Sequence, residues 1–158
     1  MTEQYITISV SSIQLCVSES VIDTWKKHRQ VNAGMHESFG VMIGSQESEP
    51  VSVVIEDVTT PLPKDRHSRS NFLLIDKGHQ KTVDAAFKKS NGILGYLGTW
   101  HTHPEKNPSP SAIDINDWRQ CIKRNPDRKL FFFIVGIEKT KIYTFNENKF
   151  EELAAIIL

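Results

Sequence analysis

The fold is decided by residues 93–114, which read ILGYLGTWHTHPEKNPSPSAID. The first ten of these residues are mostly apolar, and this pattern predicts a strand that is buried on both faces. Pro104 ends the strand, and the prolines that follow it predict a loop. A helix is then expected from about Ser109 or Pro110 to Lys123. A strand, a loop and a helix in this order indicate an α/β domain.

The rest of the chain predicts further strands and helices on both sides of this unit. Strands are expected at 5–10, 13–17, 39–44, 51–58, 130–137 and 141–145, and helices at 18–29 and 76–89. The most hydrophobic strand, 130–137, is predicted to be the central one, and residues 150–158 are predicted to form a short helix. The order ββαββαβαββ(α) predicts a single α/β domain of mixed sheet over residues 1–158.

Two segments before the 93–114 stretch carry more specific expectations. Residues 39–44 contain Gly40 and Gly44, and glycines inside a strand indicate that neighbouring backbone approaches closely. The turn-forming residues that follow predict an antiparallel hairpin with strand 51–58.

Residues 60–71 contain two prolines and few apolar side chains, which predicts a surface loop. Its cations are Lys64, Arg66 and Arg69, and the sequence leaves open whether they are solvated or contact a substrate.

The chain has 158 residues and equal numbers of basic and acidic side chains, 19 of each. This length allows one hydrophobic core and excludes architectures of about 250 residues, such as a TIM barrel. Hydrophobic residues make up 39% and charged residues 24%, which is typical of a folded globular protein rather than a disordered one. A net charge of zero gives no overall basic field, so no nucleic-acid partner is expected.

The sequence carries no signal for export or for membrane insertion. Its first residues lack a basic region followed by an apolar stretch, and no run of about 18 apolar residues occurs. We therefore expect a cytoplasmic protein without a membrane partner. Cys16 and Cys121 lie far apart in the chain, so we expect reduced thiols rather than a disulfide framework or a thiolate zinc site.

His101 and His103 end the strand of the 93–114 stretch. Residues i and i+2 of a strand face the same side, so both imidazoles can reach one metal ion. The predicted helix returns Asp114 in its second turn. Two imidazoles and one carboxylate leave a fourth tetrahedral position for water, as in a catalytic rather than a structural zinc site. Taken separately, the histidines could be ordinary strand residues, and Ser111 with Asp114 could be a helix capping box.

Other zinc families with a His-x-His pair fit this sequence poorly. An amidohydrolase barrel needs a much longer chain, and a metallo-β-lactamase needs HxHxDH where this chain has HTHPEK. Zinc deaminases need a P-C-x-x-C segment, which is absent. The residues alone do not select a general base among four glutamates, Glu37, Glu47, Glu56 and Glu105. The other histidines lack ligand spacing and are predicted to lie at the surface: His28, His36, His67 and His79. The sequence leaves open whether His36 and His67 lie near the cleft.

The segment from His101 to Asp114 resembles the JAMM motif of the JAB/MPN metallopeptidases, in which His-x-His-Pro is followed after six residues by Ser-x-x-Asp. In that family an upstream glutamate before a strand of small residues completes the site, and Glu37 with residues 38–44 matches this pattern. The resemblance implies a single MPN/JAB domain, cytidine-deaminase-like, with a mixed and mainly antiparallel sheet flanked by helices. It also implies a Zn²⁺ cofactor bound by His101, His103 and Asp114.

The resemblance further implies two catalytic residues. Glu37 would act as the general base toward water and then as the general acid toward the leaving amine. Ser111 would donate a hydrogen bond to the oxyanion. A narrower similarity, in residues 66–70 and 95–104, is to small prokaryotic JAB proteins encoded in antiviral operons of the CBASS type.

The resemblance to that group implies a class of substrate. The protein is expected to hydrolyse the amide bond that joins the C-terminus of a ubiquitin-like protein, or of a conjugated CD-NTase-like enzyme, to its target. The expected partner is therefore an extended C-terminal tail, which can add as a strand beside a sheet edge. Two alternatives are a non-catalytic MPN scaffold and a zinc peptidase that acts on sulfur carriers or small peptides. Retention of all five motif residues argues against the scaffold.

Overall fold

The computed structural model describes residues 2–158, and within them ten strands and three helices. The strands are β1 (Tyr5–Val10), β2 (Ile13–Ser18), β3 (Phe39–Ser48), β4 (Val51–Val58), β5 (Arg66–His67), β6 (Phe72–Leu73), β7 (Gly95–Thr102), β8 (Phe131–Val135), β9 (Thr140–Asn146) and β10 (Lys149–Ile156). The helices are α1 (Glu19–His28), α2 (Gly78–Lys89) and α3 (Ala112–Arg124).

Eight of the strands form one sheet in the order β1-β2-β4-β3-β7-β8-β9-β10. The pairs β2–β4 and β7–β8 are parallel, and the other neighbours in this sheet are antiparallel. Strands β5 and β6 form a separate two-stranded hairpin. The predicted α/β class, with a mixed and mainly antiparallel sheet flanked by helices, is confirmed. That residues 1–158 form a single domain stays a prediction.

The helices cover both faces of the sheet, because alternate residues of a strand point to opposite sides. On one face, α1 buries Trp25 against Trp100 and Phe133, whose ring centroids lie 6.3 and 4.9 Å from that of Trp25. On the other face, α3 stacks Trp118 on Phe132 at 4.9 Å, and α2 packs beside it. Strand β7, which contains His101 and is followed directly by His103, is therefore covered on both faces.

Two glycines of β3 allow the neighbouring backbone to approach closely, as predicted. A Cβ atom at Gly40 would lie 1.8 Å from the carbonyl oxygen of Thr59, and one at Gly44 would lie 1.8 Å from that of Val54. The predicted hairpin of β3 and β4 is also confirmed. On its other edge β3 pairs with β7 so that Phe39 lies opposite His101. This register brings the residues just before β3 to the end of β7.

Two predictions about the sheet are wrong. Residues 150–158 lie mostly in strand β10, not in a helix, because Glu147 and Asn148 both adopt positive φ and turn the chain back along β9. Pairing with β9 outweighs the helix propensity of this segment. The most hydrophobic strand, β8, is sixth in the sheet, and β3 and β7 occupy the middle. Its apolar residues reflect burial on both faces rather than a central position.

Three smaller features of the structure bear on the predictions made from the sequence. The predicted loop at 60–71 contains strand β5, which pairs with β6 just beyond the loop. Cys16 and Cys121 are free thiols; Cys121 is buried, whereas Cys16 is only half-buried. None of the helices within residues 2–158 is both long and apolar enough to cross a membrane.

Candidate metal centre

The carboxyl end of β7 fixes both histidines of the motif. His101 pairs with Phe39 of β3 on one side and with Ile134 of β8 on the other, and it is 1% exposed. His103 follows the strand, and its backbone N–H donates to the carbonyl oxygen of Val135 at 3.1 Å. The two Nε2 atoms lie 3.0 Å apart, so both imidazoles project to the same side, as the spacing predicts.

Asp114 enters from the start of α3. The N-cap Ser111 accepts the backbone N–H of Asp114 at its Oγ (3.1 Å), and its own N–H donates to Asp114 Oδ2 (2.8 Å). The capping box is therefore formed, and it holds the same carboxylate that approaches the histidines. Formation of the capping box therefore does not prevent the same carboxylate from approaching a metal ion. Because α3 begins at Ala112, Asp114 lies in its first turn rather than its second.

The ligand atoms of these residues converge on one point. Asp114 Oδ1 lies 3.3 Å from His101 Nε2, and Oδ2 lies 3.1 Å from His103 Nε2. A tetrahedral zinc ion with bonds of about 2.0–2.1 Å separates its ligand atoms by roughly 3.3 Å. The observed separations fit this geometry. The buried triad of His101, His103 and Asp114 is therefore able to hold a metal ion.

Burial and mutual contact set the protonation of the triad. Burial alone would raise the pKa of Asp114, but the hydrogen bonds from His101 and His103 hold this pKa well below its usual range. Burial lowers the pKa of His101. For His103 the effect of burial is outweighed by Asp114, followed by Glu105 and Glu37, and its pKa is raised. A metal ion that binds His103 Nε2 competes with a proton for this nitrogen, so metal binding should weaken as the pH falls.

Outer contacts orient the two histidines. His103 Nδ1 lies 2.9 Å from Glu105 Oε1. A carboxylate at this nitrogen favours the Nδ1–H tautomer and leaves the Nε2 lone pair free for a metal. His101 Nδ1 is buried and has no hydrogen-bond partner among residues 2–158. Its ring is held by packing instead, with the centroids of Phe72 and Trp118 at 5.2 and 6.4 Å.

Glu37 lies beside the triad. Its Oε1 is 3.8 Å from His103 Nε2, and the residue is 3% exposed. Burial raises the pKa of Glu37 to about 7, and the charge of Asp114 adds to the rise. A carboxyl group with such a pKa can both accept and release a proton near neutral pH.

The other three glutamates that the sequence left open lie elsewhere. Glu47 is exposed near the end of β3. Glu56 accepts the hydroxyl of Tyr5 at 2.7 Å. Glu105 contacts the outer nitrogen of His103, on the side away from Asp114. Their placement leaves Glu37 as the glutamate that faces the ligand atoms.

A buried network that the sequence analysis missed holds the peptide that follows Glu37. Thr102 Oγ1 accepts the N–H of Ser38 at 2.9 Å and donates to Gln30 Oε1 at 2.8 Å. Gln30 Nε2 then donates to the carbonyl oxygen of Met35 at 3.1 Å. Gln30 is 2% exposed. In the sequence it is only a polar residue just after the predicted helix 18–29, and such a residue is expected to be exposed. No spacing rule links it to Thr102, so only the folded chain reveals the contact.

The segment 60–71 lies against Glu37 from the other side. Ser68 O accepts the N–H of Glu37 at 2.7 Å, and His67 Nδ1 lies 2.7 Å from Glu37 O. The β5–β6 hairpin places Phe72 on the ring of Phe39, with centroids 4.5 Å apart. This loop is therefore a wall of the site.

The prediction that the remaining histidines lie at the surface is wrong for one of them. His36 and His67 are exposed, and His28 is half-buried with its Nδ1 2.9 Å from Ser38 Oγ. His79 is 2% exposed because it pairs with the Asp65 carboxylate at 2.6 Å. Its partner belongs to a loop, so spacing along the helix gives no sign of the contact.

A cavity of about 470 Å³ lies between α2 and α3, and its lining includes neither the triad nor Glu37 or Ser111. Thr99, two residues before His101, and Asp117, one turn after Asp114, contribute to its wall. Its lining also includes apolar side chains of the sheet and α2, such as Val41 and Val83. The size and mixed lining are typical of a ligand-binding cleft.

A family model described as prokaryotic homologs of the JAB domain matches residues 22–148. The chain belongs to this family. The matched range contains Glu37, both motif histidines, Ser111 and Asp114. Membership confirms the resemblance that the JAMM motif indicated, and a JAB domain is consistent with a bound metal.

Curated relatives of this JAB-domain protein are identical to it at about a third of the aligned positions. A CD-NTase/cGAS isopeptidase of Pseudomonas aeruginosa is 35% identical over 120 residues, which cover 75% of each chain. The protein of the same name from Vibrio cholerae is 36% identical over 116 residues, covering 73% of this chain and 72% of that one. These names agree with the narrower resemblance in residues 66–70 and 95–104.

The fold of this JAB-domain protein also occurs in a solved structure. The solution structure of a Desulfitobacterium hafniense protein aligns with a TM-score of 0.57 and 20% sequence identity. The alignment covers 86% of this chain and 87% of that one. At this identity the similarity establishes the fold alone.

Proposed function

We propose that this protein is a zinc-dependent isopeptidase that hydrolyses the amide bond between the C-terminus of a conjugated protein and its target. The observation that carries the proposal is the convergence of His101, His103 and Asp114, with Glu37 Oε1 3.8 Å from His103 Nε2. Burying a carboxyl group beside another carboxylate destabilises the fold. A non-catalytic scaffold would gain nothing from this arrangement. The non-catalytic alternative is disfavoured for this reason.

Zn²⁺ is the metal that this donor set suits, since two imidazoles and one carboxylate form a common catalytic zinc site. When bound, the ion would polarise the scissile carbonyl and lower the pKa of a coordinated water. His101 and His103 would bind it through Nε2, and Asp114 through its carboxylate. Glu105 would keep His103 in the tautomer that this requires.

Glu37 is the residue proposed to move the proton. Its carboxylate accepts the proton of the attacking water and then donates it to the nitrogen of the leaving amine. In the metal-free protein burial raises the pKa of Glu37 to about 7. A nearby dication favours the charged form of a carboxyl group, so metal binding prepares Glu37 to act as a base.

Ser111 is the proposed hydrogen-bond donor to the oxyanion. In the capping box its Oγ accepts the N–H of Asp114, which uses a lone pair and leaves the hydroxyl proton free to donate. The residue is exposed, so a substrate can reach it. The same side chain thus caps α3 and serves the reaction.

The proposed substrate is a CD-NTase-like enzyme, or a ubiquitin-like protein, joined through its C-terminus to an amine of another protein. The names of the relatives support the first of these. An extended tail can add to the exposed β5–β6 hairpin, and the cavity between α2 and α3 can receive its side chains. We place the protein in the cytoplasm together with such conjugates.

The test uses a purified conjugate of a CD-NTase linked through its C-terminal carboxylate to a lysine of an acceptor protein. Intact-mass spectrometry should show a free C-terminus and a free lysine after incubation with the zinc-loaded protein. Glu47→Gln, an exposed control on β3, should cleave equally well, whereas Glu37→Gln and the metal-stripped protein should not. Undiminished cleavage by either inactive form would contradict the proposal. Cleavage of a sulfur carrier or short peptide alone would favour the small-substrate alternative.

A further inference from the structure

A buried pair that the proposed mechanism does not use, His79 and Asp65, links α2 to the chain after β4. His79 Nε2 lies 2.6 Å from Asp65 Oδ2, and the side chains are 2% and 0% exposed. The carboxylate also accepts three backbone N–H groups at 2.8 Å, those of Leu62, Ile75 and Asp76. One carboxylate therefore ties both ends of the segment 62–76, here named the clamp loop, to α2.

The other nitrogen of His79 anchors this pair to the sheet. His79 Nδ1 lies 2.6 Å from Thr59 Oγ1, which accepts the N–H of Val41 at 2.9 Å. A backbone N–H only donates, so one arrangement satisfies every atom: the Thr59 hydroxyl donates to Nδ1, and Nε2–H donates to Asp65. The chain of hydrogen bonds starts in β3, the strand that follows Glu37.

The clamp loop holds the backbone of Glu37. Its Ser68 accepts the Glu37 N–H at 2.7 Å, and its His67 lies 2.7 Å from Glu37 O. Its Phe72 stacks on Phe39, two residues beyond Glu37. The position of the Glu37 peptide therefore depends on the position of this loop.

We propose that His79 and Asp65 are positioning residues that keep Glu37 in place through the clamp loop. His79 lies in the wall of the cavity between α2 and α3, but both of its ring nitrogens are engaged, by Thr59 and by Asp65. The effect of the pair passes through the hydrogen bonds of Ser68 and His67 to Glu37. The inference rests on the proposed function because it concerns the effectiveness of Glu37. Its structural part can be measured without a substrate.

The structural test is amide hydrogen exchange on the metal-free and zinc-loaded proteins. His79→Leu removes both side-chain hydrogen bonds, whereas His79→Gln retains a donor and an acceptor. The control Lys81→Leu places the same apolar side chain on the exposed part of α2. In His79→Leu, exchange of the clamp loop and of the Glu37 amide should rise by about tenfold or more, with β8–β10 unchanged. His79→Gln and Lys81→Leu should exchange like the wild type.

The kinetic test follows cleavage of the conjugate by the same variants at saturating zinc. His79→Leu should lower kcat by about tenfold while zinc content stays the same and KM changes by less than about twofold. His79→Gln should restore most of kcat. If His79→Leu does not fold, Asp65→Asn is used in its place, because it removes the carboxylate charge and keeps the shape of the side chain. It should also lower kcat while zinc content and KM stay nearly unchanged.

Two results would overturn the inference. The first is faster exchange confined to α2, with the Glu37 amide as protected as in the wild type. The second is an unchanged kcat in a variant whose clamp loop exchanges freely. If the wild type cleaves no conjugate, the proposed function fails, while the exchange data still decide whether His79 and Asp65 fix Glu37.

Discussion

The two halves of the site are held in place by different means. His103 and Asp114 are 11 residues apart and are joined by a strand end, a short loop and a capped helix. Glu37 instead depends on distant segments, since its N–H donates to Ser68 and the next peptide is held by Thr102. The ligand half is therefore built from local sequence. The half proposed to move the proton is built by the tertiary fold.

The largest effect should come from breaking the ligand half. His101→Ala or Asp114→Ala removes one of the three proposed metal ligands, so bound zinc should fall from about one per chain to near none, and cleavage should disappear. Metal analysis by mass spectrometry after dialysis measures the loss. Glu105→Gln is the matched control, since it alters only the outer contact of His103 and should weaken zinc binding by about tenfold. Full zinc retention in His101→Ala would exclude it as a ligand.

Glu37→Gln should break the other half alone. The neutral amide cannot accept the proton, so kcat/KM for the conjugate should fall by about 10²–10⁴-fold. Zinc content should remain that of the wild type, because Glu37 is not one of the three converging ligands. Steady-state kinetics with metal analysis of the same sample separates the two halves. A parallel loss of zinc and activity would mean that they are not separate.

Ser111→Ala tests a residue that caps α3 and that is proposed to take part in the reaction. Removing the hydroxyl should lower kcat by about 10²-fold through the lost oxyanion hydrogen bond. It should also lower the free energy of unfolding by about 1 kcal/mol through the lost cap. Ser111→Thr keeps a hydroxyl and should recover much of both, as read from kinetics and urea unfolding. Normal turnover by a destabilised Ser111→Ala would leave only the capping role.

Gln30→Leu should loosen the Glu37 half without touching the metal. The buried amide holds Met35 and Thr102, so its loss should lower the free energy of unfolding by about 1–3 kcal/mol. We expect kcat to fall by about tenfold with zinc content unchanged. The exposed Gln120→Leu on α3 is the control for the substitution itself. Loss of zinc in Gln30→Leu would show that this network supports the ligands as well.

The last expected effect concerns the pH dependence of stability in the metal-free protein and not its activity. Burial raises the pKa of Glu37 to about 7, above its ordinary value, so the fold favours the protonated form. Its contribution is present in acid and is lost as the pH rises through about 7. Between about pH 5 and pH 8.5 the wild type should lose about 2 kcal/mol of unfolding free energy relative to Glu37→Gln. Equal pH dependence in urea unfolding would contradict the burial of this group.

The same contrast explains what the sequence could predict. The local unit of β7, the loop and α3 was predictable, because residue spacing fixes which side chains of a strand or helix turn meet. The choice of Glu37 needed the family resemblance, since the contacts that hold it come from remote residues such as Gln30 and Ser68. The prediction that His79 lies at the surface was wrong for the same reason, since its partners Asp65 and Thr59 are remote in sequence. Strand β10 was mistaken for a helix because pairing with β9 outweighs local propensity.

The central claim is that His101, His103 and Asp114 bind one zinc ion beside Glu37. The most direct measurement is anomalous diffraction at the zinc edge from crystals of the zinc-loaded protein. We predict a single strong peak at about 2.0–2.2 Å from His101 Nε2, His103 Nε2 and the Asp114 carboxylate, with Glu37 close by but not bound to the ion. A peak at other residues, or one bound by Glu37 in place of Asp114, would contradict the account.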